Sequence, residues 1–141
     1  MKKIFIVLAA AIVTGMSASC QGIKVPDAVK NAFAAKFPNA TNVKWGKENA
    51  KELEAEFKLN NTNVSSNFGL DGSWIETETT INTSDLPAAV TNAINAKYPG
   101  NNITRAEKIE KPGGKIMYET VIKIGSKKKE IEINSDGSFI K

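Results

Sequence analysis

Apolar positions along the chain fall into two periods, and the switch between them recurs. Val29, Ala32, Phe33 and Phe37 share one helical face, and so do Val90, Ala93, Ile94 and Tyr98. Pro26 and Pro87 sit near the first turn of each predicted helix, where a missing N–H costs nothing. Pro38 and Pro99 disfavour helical geometry in the residue before them and so end each helix. Glu52 to Leu59 alternates strictly, with Leu53, Ala55, Phe57 and Leu59 on one side and Glu52, Glu54, Glu56 and Lys58 on the other. Lys115 to Ile124 alternates less cleanly, with Ile116, Tyr118, Ile122 and Ile124 together. Val64 to Phe68 and Lys129 to Ile133 are the next strands, each running into an Asp-Gly pair that signals a hairpin. Thr41 to Trp45 and Ile103 to Ile109 are shorter strands.

The halves resemble each other residue by residue. Residues 25–38 (VPDAVKNAFAAKFP) align with 86–99 (LPAAVTNAINAKYP), 61 positions on. Further along, Leu53–Leu59 aligns with Tyr118–Ile124, and Asp71-Gly72-Ser73-Trp74-Ile75 with Asp136-Gly137-Ser138-Phe139-Ile140, now 65 positions on. An insertion near Lys111-Pro112-Gly113-Gly114 accounts for the change. The expected fold class is α+β: a tandem repeat (25–81 and 86–141) of one helix plus about four antiparallel strands. Because ~60 residues alone make a marginal core, the repeats are expected to form one domain over 25–141. Its sheet would have roughly eight antiparallel strands, with both helices covering one face. The other face would be open to solvent and lined by Glu54, Glu56, Lys58, Glu119, Val121 and Lys123.

The N-terminus reads as a targeting segment. Lys2 and Lys3 precede an apolar run from Ile4 to Val13, and Ser17-Ala18-Ser19 offers a cleavage site. Residues 1–19 are therefore read as a signal peptide and 20–24 as a short tether, which places the protein in the periplasm or cell envelope. Cys20, the one cysteine, stands where a lipoprotein signal places its lipidated residue, although Ser17 replaces the commoner Leu. Lipidation and ordinary cleavage both remain open, and no internal disulfide is available. Loss of Lys2 and Lys3 leaves 17 basic against 15 acidic residues, 17 − 15 = +2. That balance is too mild for nucleic acid. Lys127-Lys128-Lys129 is read as a solvated hairpin turn.

Most catalytic chemistry lacks its residues. The chain has no histidine, the commonest general base and metal ligand. It has no glycine-rich phosphate loop, and its carboxylate pairs (Glu54 with Glu56, Glu130 with Glu132) fall on a strand face with nothing obvious to desolvate them. Asp71 and Asp136 offer one carboxylate per turn, too few for calcium. No cofactor, metal site or catalytic residue is expected. The binding candidates are Trp74 and Phe139 with Glu54, Glu56, Lys58, Glu119 and Lys123. A two-residue turn at Asp71-Gly72 sends Trp74 to the open face, whereas a three-residue turn with a glycine bulge pairs it with Phe68 and buries it. Trp45 is open in the same way between strand surface and core. Lys36 and Lys97 are read as solvated flanks of the helical stripe.

The stretches Leu86-Pro87-Ala88-Ala89-Val90 and Lys97-Tyr98-Pro99, their first-half counterparts, and the Asp-Gly-Ser-Trp and Asp-Gly-Ser-Phe turns resemble the PepSY-like, β-lactamase-inhibitor-protein-like family of small exported bacterial proteins. The resemblance covers nearly all of the mature chain, and its motifs specify helix ends and hairpins. It implies tandem helix-plus-strand units and a sheet face able to grip another protein, a fold-level analogy. The expected function is non-enzymatic binding of an envelope protein or peptide through the open face, inhibition of a secreted hydrolase being one such role. Membrane contact would come only through a lipid on Cys20. The alternative is an envelope structural or stress protein without a discrete ligand site.

Overall fold

The computed structural model describes residues 23–140. The signal segment, Cys20 and the first part of the tether lie outside them. The order is α1 (Asp27–Lys36), β1 (Thr41–Lys47), β2 (Glu52–Leu59), β3 (Thr62–Gly69), β4 (Trp74–Ile81), α2 (Ala88–Lys97), β5 (Asn102–Lys111), β6 (Lys115–Ile124) and β7 (Lys127–Asn134). The strands form one antiparallel sheet in chain order from β1 to β7. Both helices stop where expected: Phe37 and Tyr98 donate back to the carbonyls of Phe33 and Ile94, and a proline follows each.

The sheet has seven strands, not roughly eight. After Gly137 the chain makes only an isolated bridge, Phe139 to Ile133. The matching segment of the first half, β4, has β3 on one side and β5 on the other, while Phe139 pairs on one side only. The basic run is also differently placed. Gly125 and Ser126 make the turn between β6 and β7, and Lys127, Lys128 and Lys129 begin β7 as exposed strand residues. Lysines on an edge strand discourage pairing with other chains.

The registers decide the faces. Leu53, Ala55 and Phe57 pair with Phe68, Ser66 and Val64, and Ser66 pairs with Thr77. Ile81 pairs with Ala106, Ala106 with Thr120, and Thr120 with Ile131. Since side chains alternate across a strand, all of these lie on one face, and both helices pack there. Val29, Phe33 and Phe37 of α1 and its C-terminal edge join Leu53, Phe57, Val64 and Phe68 in one cluster. Val90 and Ile94 of α2 join Ile122, Ile131 and Ile133 in a second. The first cluster is aromatic, with Phe33 edge-on to Phe57 at 5.1 Å between ring centroids. The second is mainly aliphatic.

Candidate functional site

Trp74 lies on the helix side. Gly69 donates to the carbonyl of Ser73 and Gly72 to that of Gly69, which makes a three-residue loop whose last residue, Gly72, is left-handed at φ 88°. Phe68 therefore pairs with Trp74. The indole is half-buried against the α1 cluster, and its Nε1 donates to Thr77 Oγ1 at 2.9 Å. The Lys36 ammonium sits 3.5 Å from the ring centroid, a cation–π contact. The second half matches it: Gly137 is left-handed at φ 86°, Phe139 packs against the α2 cluster, and Lys97 lies 3.8 Å from its ring. Trp74 and Phe139 are thus not anchors on the open face, and Lys36 and Lys97 are not merely solvated flanks. Trp45 is core packing, 5.3 Å from Phe33. Asp71 and Asp136 are turn residues, as expected. Each accepts from the N–H and hydroxyl of the serine two residues on, which holds both carboxyls below the usual range.

The face without helices carries carboxylates across its centre. Glu54 pairs with Asn67, and Asn67 with Glu76; Glu56 pairs with Ser65, and Ser65 with Glu78. One row over, Thr80 meets Glu107, Glu107 meets Glu119, and Glu119 meets Glu132. Glu76 and Glu107 are buried, and so is the apolar pair Ile109–Met117 beside Glu78. Bulges in β4 and β5 add twist to two of the strands that hold this row. Burial pushes the Glu78 carboxyl up to about 8, helped by repulsion from Glu76, Glu107, Glu119 and Glu54. Burial, with Glu130 and Glu107, pushes Glu119 up to about 7 against the pull of Arg105. Glu54 is raised by burial first and by Glu56 next, so the expectation that nothing desolvates it is corrected.

Two cations reach this row. Arg105 lies 2.7 Å from Glu107 and 3.9 Å from Glu119, and Lys111 lies 2.8 Å from Glu76. Among the described residues neither Glu54 nor Glu78 has an ion-pair partner. Asn67 Nδ2 donates to Glu76 at 3.2 Å, while the buried Asn67 Oδ1 has no donor.

Of the residues named from sequence, Glu54, Glu56 and Glu119 join this cluster. Lys58 and Lys123 share the face but pair near strand ends, with Thr41 and Asn63 and with Asn102 and Lys128. The sequence pattern did not single out Asn67, Glu76, Glu78, Arg105, Glu107 or Lys111. The alternation Glu76-Thr77-Glu78 carried the signal for two of them.

The PepSY-like family, provisionally described as beta-lactamase-inhibitor-like, matches residues 19–66 and 51–141, two overlapping stretches. The chain belongs to this family. No curated protein matches it. This PepSY-like chain has the fold of several solved Bacteroides proteins. One from Bacteroides eggerthii, provisionally described as periplasmic, is 20% identical with TM-score 0.75, over 84% of this chain and 87% of that one. A DUF2874 family protein from Bacteroides ovatus is 21% identical with TM-score 0.74, over 85% and 87%. A BLIP-like protein from Bacteroides fragilis is 22% identical with TM-score 0.71, over 86% of each. A cleft of about 290 Å³ in this PepSY-like chain is lined by Trp74, Glu110, Lys111, Gly114, Lys115 and Ile116. Neither Glu78 nor Glu119 lines it. Among the described residues no group of acidic side chains is arranged to hold a metal ion, and no helix is long and apolar enough to cross a membrane.

Proposed function

We propose that this chain is an exported, non-enzymatic module of the cell envelope that binds another protein or a peptide through the helix-free face of its sheet. Inhibition of a secreted hydrolase is one role such a grip would serve. The observation that carries the reading is the row of partly buried carboxylates on a face that neither helix covers. A core face needs no such carboxyls, and burying Glu54 and Glu78 without a cation pushes both toward their neutral forms rather than stabilising the fold. The lack of histidine and the placement of the raised carboxyls on the helix-free face support a binding role over catalysis. The provisional periplasmic description of a fold neighbour and the N-terminal pattern support export, with Cys20 proposed as the lipid anchor. Intact mass of the protein purified from an envelope would show a diacylglycerol-sized addition on Cys20, or its absence.

The chain is further read as a tandem repeat within one domain. A Cβ on Gly72 would lie 2.7 Å from the Ala28 carbonyl oxygen, and one on Gly137 would lie 2.7 Å from that of Ala89. Each hairpin tip is seated on the start of its own helix in the same way, which supports the reading.

The test is capture from envelope extract on the immobilised protein, with photo-cross-linkers at Thr80 and Val121 on the open face and at Lys97 on the helix side. A specific partner joined through Thr80 and Val121 is expected. Absence of any specific partner, or cross-links confined to Lys97, would sink the proposal. The alternative, an envelope structural or stress protein without a ligand site, draws support from Trp74 and Phe139 being packed against the helices. Against it stand Ile109, Met117 and Val121, which keep the open face from being uniformly polar.

A further inference from the structure

The geometry points to a basic polypeptide segment as the occupant of the open face, one that seats a lysine or arginine side chain between Glu54, Asn67 and Glu78. This rests on the binding role proposed above and specifies its partner. Three observations converge on those residues. The carboxylates of β2, β4, β5 and β6 crowd one surface, and the cations they have, Arg105 and Lys111, engage Glu107, Glu119 and Glu76. That leaves Glu54 and Glu78 without a counter-charge among the described residues. Asn67, at 9% exposure, pairs with Glu54 and Glu76 and lies on β3, the strand between those that carry Glu54 and Glu78. Its amide nitrogen is committed to Glu76, and its Oδ1 lacks any donor. A buried acceptor left unpaired is costly, and among the described residues no side chain supplies Asn67 Oδ1 with a donor.

Ammonium and guanidinium groups are donors only, so either satisfies the neutral Oδ1 and the carboxylates together. An acidic segment would be repelled by these carboxyls, and a purely apolar one would offer them no counter-charge. A bare metal ion is disfavoured, because the acidic groups are not arranged as a coordination sphere. The whole chain is mildly basic, so this acidic surface is local and orients a basic partner toward one face. Seating a cation also favours the ionised form of Glu78. Its carboxyl proton leaves to buffer as the ion pair forms, and no other bond changes.

The test uses the protein as purified from the cell and a short peptide alternating Arg and Ser, with Glu-Ser and citrulline-Ser peptides as controls. Calorimetry at pH 7 in buffers of different ionisation enthalpy is expected to show saturable binding of the Arg peptide alone, weakened by salt, with proton release. Amide NMR shifts should centre on β2, β3 and β4. Glu78→Gln and Asn67→Leu are each expected to weaken binding at least about tenfold, a loss of about 1.4 kcal/mol. Glu78→Gln substitutes a neutral isostere for a carboxyl that holds its proton near neutral pH and should fold at least as well as the parent, which keeps the test independent of misfolding. Equal binding of the citrulline peptide, or binding unchanged in Glu78→Gln, overturns the inference. The envelope capture separates the two proposals. A partner cross-linked at Thr80 and Val121 whose capture resists both the Arg peptide and Glu78→Gln overturns the basic segment and leaves the binding role standing. With no partner and no Arg-peptide binding, both fall.

Discussion

The two faces of this sheet respond to opposite demands. The helix face is filled by Phe68, Ile94, Ile122 and Ile133, each less than 2% exposed. The other face buries Glu76 and Glu107 and holds the Glu78 and Glu119 carboxyls far above their ordinary range. One face contributes stability through apolar burial, while the other gives some of it up to keep charge together in a poorly solvated place. The contrast implies that truncation on the first face and neutralisation on the second should change stability with opposite signs.

The largest effect should come from Phe68→Ala, which removes a fully buried ring from the α1 cluster. It is expected to cost about 3–5 kcal/mol, measured by urea denaturation. A loss near the cost of a surface change would mean that the face is not the stabilising one. Gly72→Ala attacks the same face through its cover. It combines left-handed backbone, about 1–2 kcal/mol for an L side chain, with a Cβ 2.7 Å from the Ala28 oxygen. Gly137→Ala should be similar, so unequal losses would show that the two hairpin tips are seated differently.

On the opposite face the sign reverses. Glu78 binds its proton up to about pH 8 in the folded protein, whereas a solvated glutamate releases it near 4.5. Between those values the folded state holds a proton that the unfolded chain has released, so this contribution to stability falls as pH rises. Each tenfold difference in proton affinity between the two states is worth about 1.4 kcal/mol. Discounted for the partial exposure of the site, the drop from about pH 5 to about pH 8.5 is expected to be about 2 kcal/mol. Thermal melts across that range should show a falling Tm in the parent and a flatter, higher profile in Glu78→Gln. A parent whose Tm climbs over this interval would refute the sign. The smallest effect belongs to Lys36→Ala, which removes the cation over Trp74 at a cost of about 0.5–1 kcal/mol and should shift the tryptophan emission.

Much of the helix face was legible in the amino-acid order. Val29, Phe33, Val90 and Ile94 announce buried stripes by spacing alone, and the strict alternation of Glu52 to Leu59 fixes which side of β2 is wet. The direction of Trp74 was not legible, because it turns on a single residue of loop length between Phe68 and the indole. Both alternatives satisfied the Asp-Gly signal, and only the Gly69–Ser73 hydrogen bond chooses between them. The Asn60-Asn61 pair, both residues left-handed at φ 50° and 67°, marks the β2–β3 turn through the tolerance of asparagine for that region. The carboxylate row was hidden for a different reason. Glu54 and Glu107 are far apart in sequence and on non-adjacent strands, yet each bears on Glu78, and that proximity exists only once the strands are laid in order. A strand read alone shows its glutamates as wet.

Chain-order strand pairing has a kinetic consequence. Five of the six ladders close through short connections, as where Lys111 meets Lys115 or Ile124 meets Lys127. The sixth, between β4 and β5, first closes where Ile81 meets Ala106, with α2 looped out between them. Longer closures cost more chain entropy before contacts repay it. The two blocks of strands should therefore form early and zip together late along this seam. Stopped-flow refolding of Ile81→Ala is expected to show faster unfolding and a little-changed folding rate, the signature of a contact made after the transition state.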